Sequence, residues 1–213
     1  MTAPPKLPVD PRLHEAWRAW LASLAIDAEA ALGAAHAYSE LDDAGREAWL
    51  DALAEDAPRL DVPLVAVYAP LLAVETDPER RERIGLAIGE QPWEAFVQGG
   101  RTRTLRGIAP DRTRVAVLVS PFYLRFVRIL TCRYSPDEGF VWGRYEPIVA
   151  EEGAPRPGVV VDGVTLEATP TKPVIEELAH AILAQRRRGD ELPNALYFFT
   201  DLFDAHVDGD SVY

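Results

Sequence analysis

Hydrophobic positions in the first half of the chain recur at helical spacing. Between residues 11 and 33, Leu13, Trp17, Trp20, Leu21 and Leu24 form one stripe, and Glu15, Arg18 and Glu29 fall largely outside it. The pattern predicts one amphipathic helix, ended by Gly33. A second helix is predicted from Ser39 or Asp42 to Glu55, with Trp49 and Leu53 on one face, short polar residues as caps and Pro58 just beyond. Pro63 suits the first turn of a third helix reaching Val74, which Pro70 should kink or split. Asp77-Pro78-Glu79 supplies a cap and a first-turn proline for a fourth, and Gly89 a stop.

After Gly99-Gly100 the pattern changes. Val115–Val119 and Leu124–Tyr134 are rich in β-branched and aromatic residues, which predicts strands. Ser135–Gly139 reads as a hairpin loop between Leu124–Tyr134 and Phe140–Pro147. Asp162-Gly163, a dipeptide that readily takes the positive φ values of a type I′ turn, marks another hairpin between Val159–Val161 and Val164–Glu167. A meander of four to six strands follows. Ser120-Pro121 leaves a competing reading of Phe122–Arg133 as a capped helix, and the β-rich composition favours the strand. Glu151–Gly158, dense in proline and glycine, is expected to be a mobile loop. Two helices should close the chain. Pro173–Arg188 carries Ile175, Leu178, Ile182 and Leu183, and Asn194 to about Val207 carries Leu196, Phe199 and Phe203.

The fold class is therefore α+β: an N-terminal helical layer, a central antiparallel meander and two C-terminal helices on one side of it. Residues 1–10 are expected to be a disordered tail, and 11–98 (helical) and 99–213 (mixed) to form one compact unit. No internal repeat or low-complexity tract interrupts them.

Composition narrows the class. The chain has 213 residues, a net charge of −12, 48% hydrophobic residues and one cysteine, enough to bury a core without disulfide staples. With no apolar leader in the first residues and no uninterrupted apolar run near 20, the expectation is a cytoplasmic protein that does not enter the membrane. Arginine outnumbers lysine 20 to 2, which reads as a GC-rich bacterial coding bias.

Charge distribution is the informative feature. In residues 99–145 basic residues outnumber acidic ones nine to three, while the rest of the chain is net acidic. Arg101, Arg103, Arg106, Arg112 and Arg114 cluster beside Gly99-Gly100, where the backbone can approach a ligand closely, and Arg125 or Arg128 would join them. These seven are the candidate anion-binding residues, for a phosphate or carboxylate. The competing account pairs them with the protein's own acidic helices, and Arg128 with Glu146 across the hairpin. Nucleic acid is disfavoured, because acidic flanks would repel the same polyanion.

Other constellations are incomplete. Glu177-x-x-His180 is half of a di-metal carboxylate pattern and lacks its second half, so a surface carboxylate–imidazole pair is expected. Asp204-x-His206-x-Asp208-Gly209 imitates the opening of a calcium loop without its closing glutamate, and Asp201 and Asp210 extend the same acidic run. Cys132 falls on an apolar strand face as a buried thiol. There is no Walker loop, Gly-x-Gly-x-x-Gly, His-Glu-x-x-His, nucleophile elbow or paired-cysteine zinc pattern. Hence no catalytic residue, metal or cofactor is assigned.

Trp17 and Trp20 are candidate partner-binding residues, since the apolar face of a terminal helix can dock on another protein. The leading expectation is a non-enzymatic acidic interaction protein, such as an adaptor, regulatory subunit or immunity-like inhibitor, meeting a basic protein surface. Its alternative is an enzyme or sensor that takes a phosphorylated or carboxylated small molecule through the arginine-rich segment.

Overall fold

A computed structural model describes residues 11–89, 101–200 and 202–203. The expected N-terminal tail, Gly99-Gly100, and Asp201, Asp204, His206, Asp208 and Asp210 lie outside the described residues. The architecture is α+β, and the chain divides into two compact units, Met1–Phe96 and Val97–Tyr213.

The first unit is helical: α1 (Pro11–Ser23), α2 (Ala28–Ser39), α3 (Asp43–Asp56), α4 (Leu64–Leu72) and α5 (Pro78–Ile88). The single helix expected over 11–33 is two. Asp27 is extended at φ −117 and its carboxylate accepts the N–H groups of Glu29 and Ala30 at 2.9 and 3.2 Å, which starts a new helix. Gly33 consequently sits inside α2 rather than ending a helix. Asp42 and Asp77 cap α3 and α5 in the same way, and Gly89 at φ +111 ends α5. Pro70 does not split α4: it lies two residues before the end of a helix that is buried along nearly its whole length, so packing holds the segment against the loss of one backbone donor.

Glu75, just after α4, is fully buried. Its carboxylate accepts from the Tyr38 hydroxyl at 2.6 Å, the Arg80 Nε at 2.8 Å, Arg46 at 3.3 Å and the N–H groups of Thr76 and Asp77 at 2.8 Å each. Burial alone would raise its pKa, but these donors hold it at about 2. Four of the five elements are thereby tied to one carboxylate.

The second unit is built on a five-stranded antiparallel sheet of order β4-β3-β2-β1-β7, from β1 (Arg103–Ile108), β2 (Arg114–Tyr123), β3 (Phe126–Ser135), β4 (Gly139–Ala150) and β7 (Glu167–Thr169). β5 (Val160–Val161) and β6 (Val164–Thr165) form a separate hairpin, turned by Asp162 at φ 51 and Gly163 at φ 74 as the dipeptide requires. The helical reading of Phe122–Arg133 is thus replaced by β2, a tight turn and β3.

Both sheet faces are covered, which explains why Val115–Val119 is a continuous apolar run. Ala116, Leu118, Leu130, Cys132 and Tyr134 pack against Val174, Ile175, Leu178 and Ile182 of α6 (Thr171–Arg188) and against Leu196, Phe199 and Phe203. Leu105, Val115, Val117, Val119, Val127 and Ile129 pack on the other face against Ala154, Val164 and Leu166. The segment 151–158, expected to be mobile, is therefore folded: Ala154 is buried, and the Gly158 N–H donates to the Leu166 carbonyl at 2.7 Å. Gly189 ends α6 in the left-handed region at φ 75. The second closing helix begins as a 3-10 turn over Asn194–Phe199.

Candidate anion-binding cleft

The structure separates the seven candidate arginines by what they touch. Arg106 and Arg114, on the α6 face of the sheet, both reach Glu177, Arg114 at 3.0 Å, and the Tyr134 hydroxyl donates to the same carboxylate at 2.9 Å. Arg128 donates to the Phe198 carbonyl at 2.6 Å and lies 4.8 Å from the centre of the Phe199 ring. Its expected partner is displaced, because a register shift between Arg133 and Tyr134 sets Ile129 opposite Glu146. Arg112 is exposed in the turn between β1 and β2 at φ 69, and Arg101 is exposed ahead of β1.

Arg103 and Arg125 do converge, and a third arginine joins them. A cleft of about 610 Å³ is lined by Arg103, Arg125, Arg156, Glu151, Glu152, Pro155 and Pro157. It lies at the end of the sheet where β1 starts, β2 turns into β3 and β4 ends. Each arginine is held there by backbone. Arg103 is the first residue of β1 and is ion-paired to Glu151. Arg125 sits in the two-residue turn that joins Tyr123 to Phe126, and its carbonyl accepts the Glu151 N–H at 3.0 Å. Arg156 stands between two prolines whose rings restrict the backbone on both sides, and its carbonyl accepts the Val159 N–H at 3.1 Å.

The turn that carries Arg125 is strained. Leu124 has φ +47, a left-handed conformation that Cβ sterics disfavour and that glycine or asparagine normally supplies. A branched apolar residue held there is the kind of local cost that collects at functional sites.

Electrostatics distinguish this cleft from the Glu177 cluster. Arg103 is matched by Glu151, while among the described residues Arg125 and Arg156 form no ion pair. Glu152 on the same wall partly offsets them, so the cleft carries an uncompensated charge of about one positive unit. Planar guanidinium forks in that setting suit a single carboxylate or phosphate group. Among the described residues, the lining offers no hydroxyl, thiol, imidazole or amine nucleophile.

Arg156, Glu151 and Glu152 were not singled out from the sequence. The available signal was the Pro155-Arg156-Pro157 triplet, a charge fixed between two rigid residues. Also missed is an imidazole–carboxylate pair in the helical unit, His14 Nε2 to Asp56 at 2.9 Å. Burial of Asp56 opposes ionisation, but His14 and Arg18 together hold its pKa below the ordinary value.

The remaining candidates have ordinary surroundings. Trp17 and Trp20 lie 5.2 Å apart between ring centres and both pack on Trp49, at 5.6 and 6.2 Å, so the aromatic stripe of α1 is used at least partly within its own unit. His180 is exposed, and the expected carboxylate–imidazole pair is not formed: Glu177 faces the sheet and Glu176 lies 3.9 Å from Lys172. Cys132 is buried, and burial pushes its thiol up to about 12. Among the described residues no group of three His, Cys, Asp or Glu side chains is placed to hold a metal ion, and no helix is long and apolar enough to cross a membrane.

No protein-family model, curated protein or solved structure matches the chain.

Proposed function

We propose that the sheet unit is a binding module for small organic anions, a sensor in character and not a catalyst. The observation that carries this is the pairing of Arg125 and Arg156, both without ion-pair partners among the described residues, in a cleft of about 610 Å³. The ligand has one carboxylate or phosphate group for the guanidinium forks and a carbon body for the Pro155 and Pro157 walls. One net positive charge favours a monoanion over a nucleotide triphosphate or a nucleic acid, whose further charges would meet Glu151 and Glu152.

Thermal unfolding at constant ionic strength, with chloride exchanged for phosphate, sulfate, acetate or benzoate, tests the proposal. A ligand present at 100 times its dissociation constant adds about 2.7 kcal/mol of stability by mass action. Benzoate or phosphate should raise the midpoint in the native protein, and Arg125→Ala and Arg156→Ala should each abolish the rise. Equal midpoints in all anions, or a rise unchanged in both variants, would refute the reading.

A further inference from the structure

The outer edge of β4 is a long border of the sheet, used near its start by the Phe140 N–H, which donates to Gln185 at 2.6 Å. β4 is 12 residues long and borders only β3, whereas the opposite edge strand, β7, has three residues. Among the described residues no strand pairs with that outer edge. Long edges of this kind are usually blunted by charge, proline or bulges, because their unpaired N–H and C=O groups template a further strand. β4 carries such devices at two places: register shifts fall between Arg133 and Tyr134 and between Val127 and Ile129 of its neighbour, and Pro147 supplies no donor. They bracket an even stretch, Trp142–Glu146, whose five residues pair one to one with Arg133–Ile129.

The side chains of that stretch are self-complementary. Trp142, Arg144 and Glu146 sit opposite Arg133, Thr131 and Ile129 and share one face, while Gly143 and Tyr145 share the other. Arg144 and Glu146 are exposed, and Val141 beside them is 62% exposed. Arg144 stacks 4.9 Å from the Trp142 ring centre and has no carboxylate partner among the described residues.

Consider a second copy adding its own β4 antiparallel about a twofold axis normal to the sheet. A register centred on residue 144 sets Arg144 against itself, and one centred on 146 sets Glu146 against itself. Centred on Tyr145, Arg144 of each copy meets Glu146 of the other, twice, on the same face. Opposite charges directly across a strand pair stabilise it and like charges oppose it, so one register of the three is selected.

We infer that β4 is a homodimerisation edge, joining two copies of the chain into a continuous ten-stranded sheet centred on Tyr145. The pairable stretch is short, so the dimer is weak, with a dissociation constant in the micromolar range. This inference is independent of the anion cleft.

Sedimentation equilibrium of the full chain across about 1–500 μM is the test. The native protein should show a monomer–dimer equilibrium. Arg144→Glu, which sets like charges opposite each other at two symmetric places, should weaken it about tenfold or more. Arg144→Glu combined with Glu146→Arg should restore the native constant, because the pairs are regenerated with reversed sign. All substituted side chains are exposed, and circular dichroism confirms that each variant is folded. A native protein that stays monomeric, a dimer indifferent to Arg144→Glu, or a weakened dimer that the double exchange does not rescue would each overturn the inference.

Discussion

Arginine meets glutamate in two contrasting ways in this molecule. Around Glu75 in the helical unit, and again around Glu177 in the sheet unit, each carboxylate collects several donors from distant parts of the chain. At the cleft, three arginines face two glutamates and only Arg103 is matched. A buried charge is tolerated when its partners are complete, and such a cluster then fixes the positions of helices and strands. An incomplete cluster on a concave surface has capacity left for a ligand. The first kind of site should therefore respond to substitution in stability, and the second in binding.

The largest effect is expected at Glu75. Glu75→Gln removes the fully buried counter-charge of Arg46 and leaves Arg80 only its outer partners, Asp43 at 3.1 Å and Glu47 at 3.9 Å, which should cost about 3 kcal/mol in urea unfolding followed by tryptophan fluorescence. The sign with pH is fixed by the depressed pKa. The carboxylate titrates near 4.5 in its ordinary state and at about 2 in the fold, so its stabilisation is complete above pH 4.5 and is lost as pH falls from there to about 2. In Glu75→Gln that part of the acid-unfolding profile should flatten. Equal acid sensitivity in both proteins would show that the hub does not govern acid unfolding.

Glu177→Gln should cost less, about 2 kcal/mol, because the pairs it forms are partly open to water. The midpoint of urea unfolding read by circular dichroism gives the value. A loss under about 0.5 kcal/mol would place this cluster with ordinary surface pairs.

The smallest effect on stability is expected at the cleft, and its sign is opposite. Leu124→Gly relieves the left-handed strain but adds chain entropy to the unfolded state, for a net gain of about 0.5 kcal/mol. The anion-dependent rise in melting temperature should shrink at the same time, since a looser turn no longer fixes Arg125. A variant that is less stable, or that keeps its full anion response, would show that the strain serves packing instead.

What the sequence revealed divides along similar lines. Features written within a few residues were legible: the caps at Asp42 and Asp77, the stop at Gly89, the Asp162-Gly163 turn and the strand character of Val115–Val119. Asp27 shows the limit even there, because it lies within the span read as one helix and only its extended backbone reveals a cap. Features made by distant residues were not legible. Glu75 draws on Tyr38 and Arg46, 37 and 29 positions away, and no local pattern marks it as a hub. The Arg128–Glu146 pairing failed by one position, because a bulge leaves no trace in period-two alternation. Of the cleft, Arg103 and Arg125 were visible as charges, but Arg156 was hidden in a stretch whose prolines suggested mobility. Those prolines instead stiffen a segment that covers a sheet face.

The burial of Cys132 has a practical corollary. With the thiol pushed up to about 12, almost none of the reactive thiolate is present at neutral pH, and the sheet shields the sulfur. The native chain is thus silent toward alkylating reagents while folded, and its slow modification keeps time with the opening of the sheet. Any cysteine introduced on the surface becomes a single, unambiguous attachment point for a dye or a spin label.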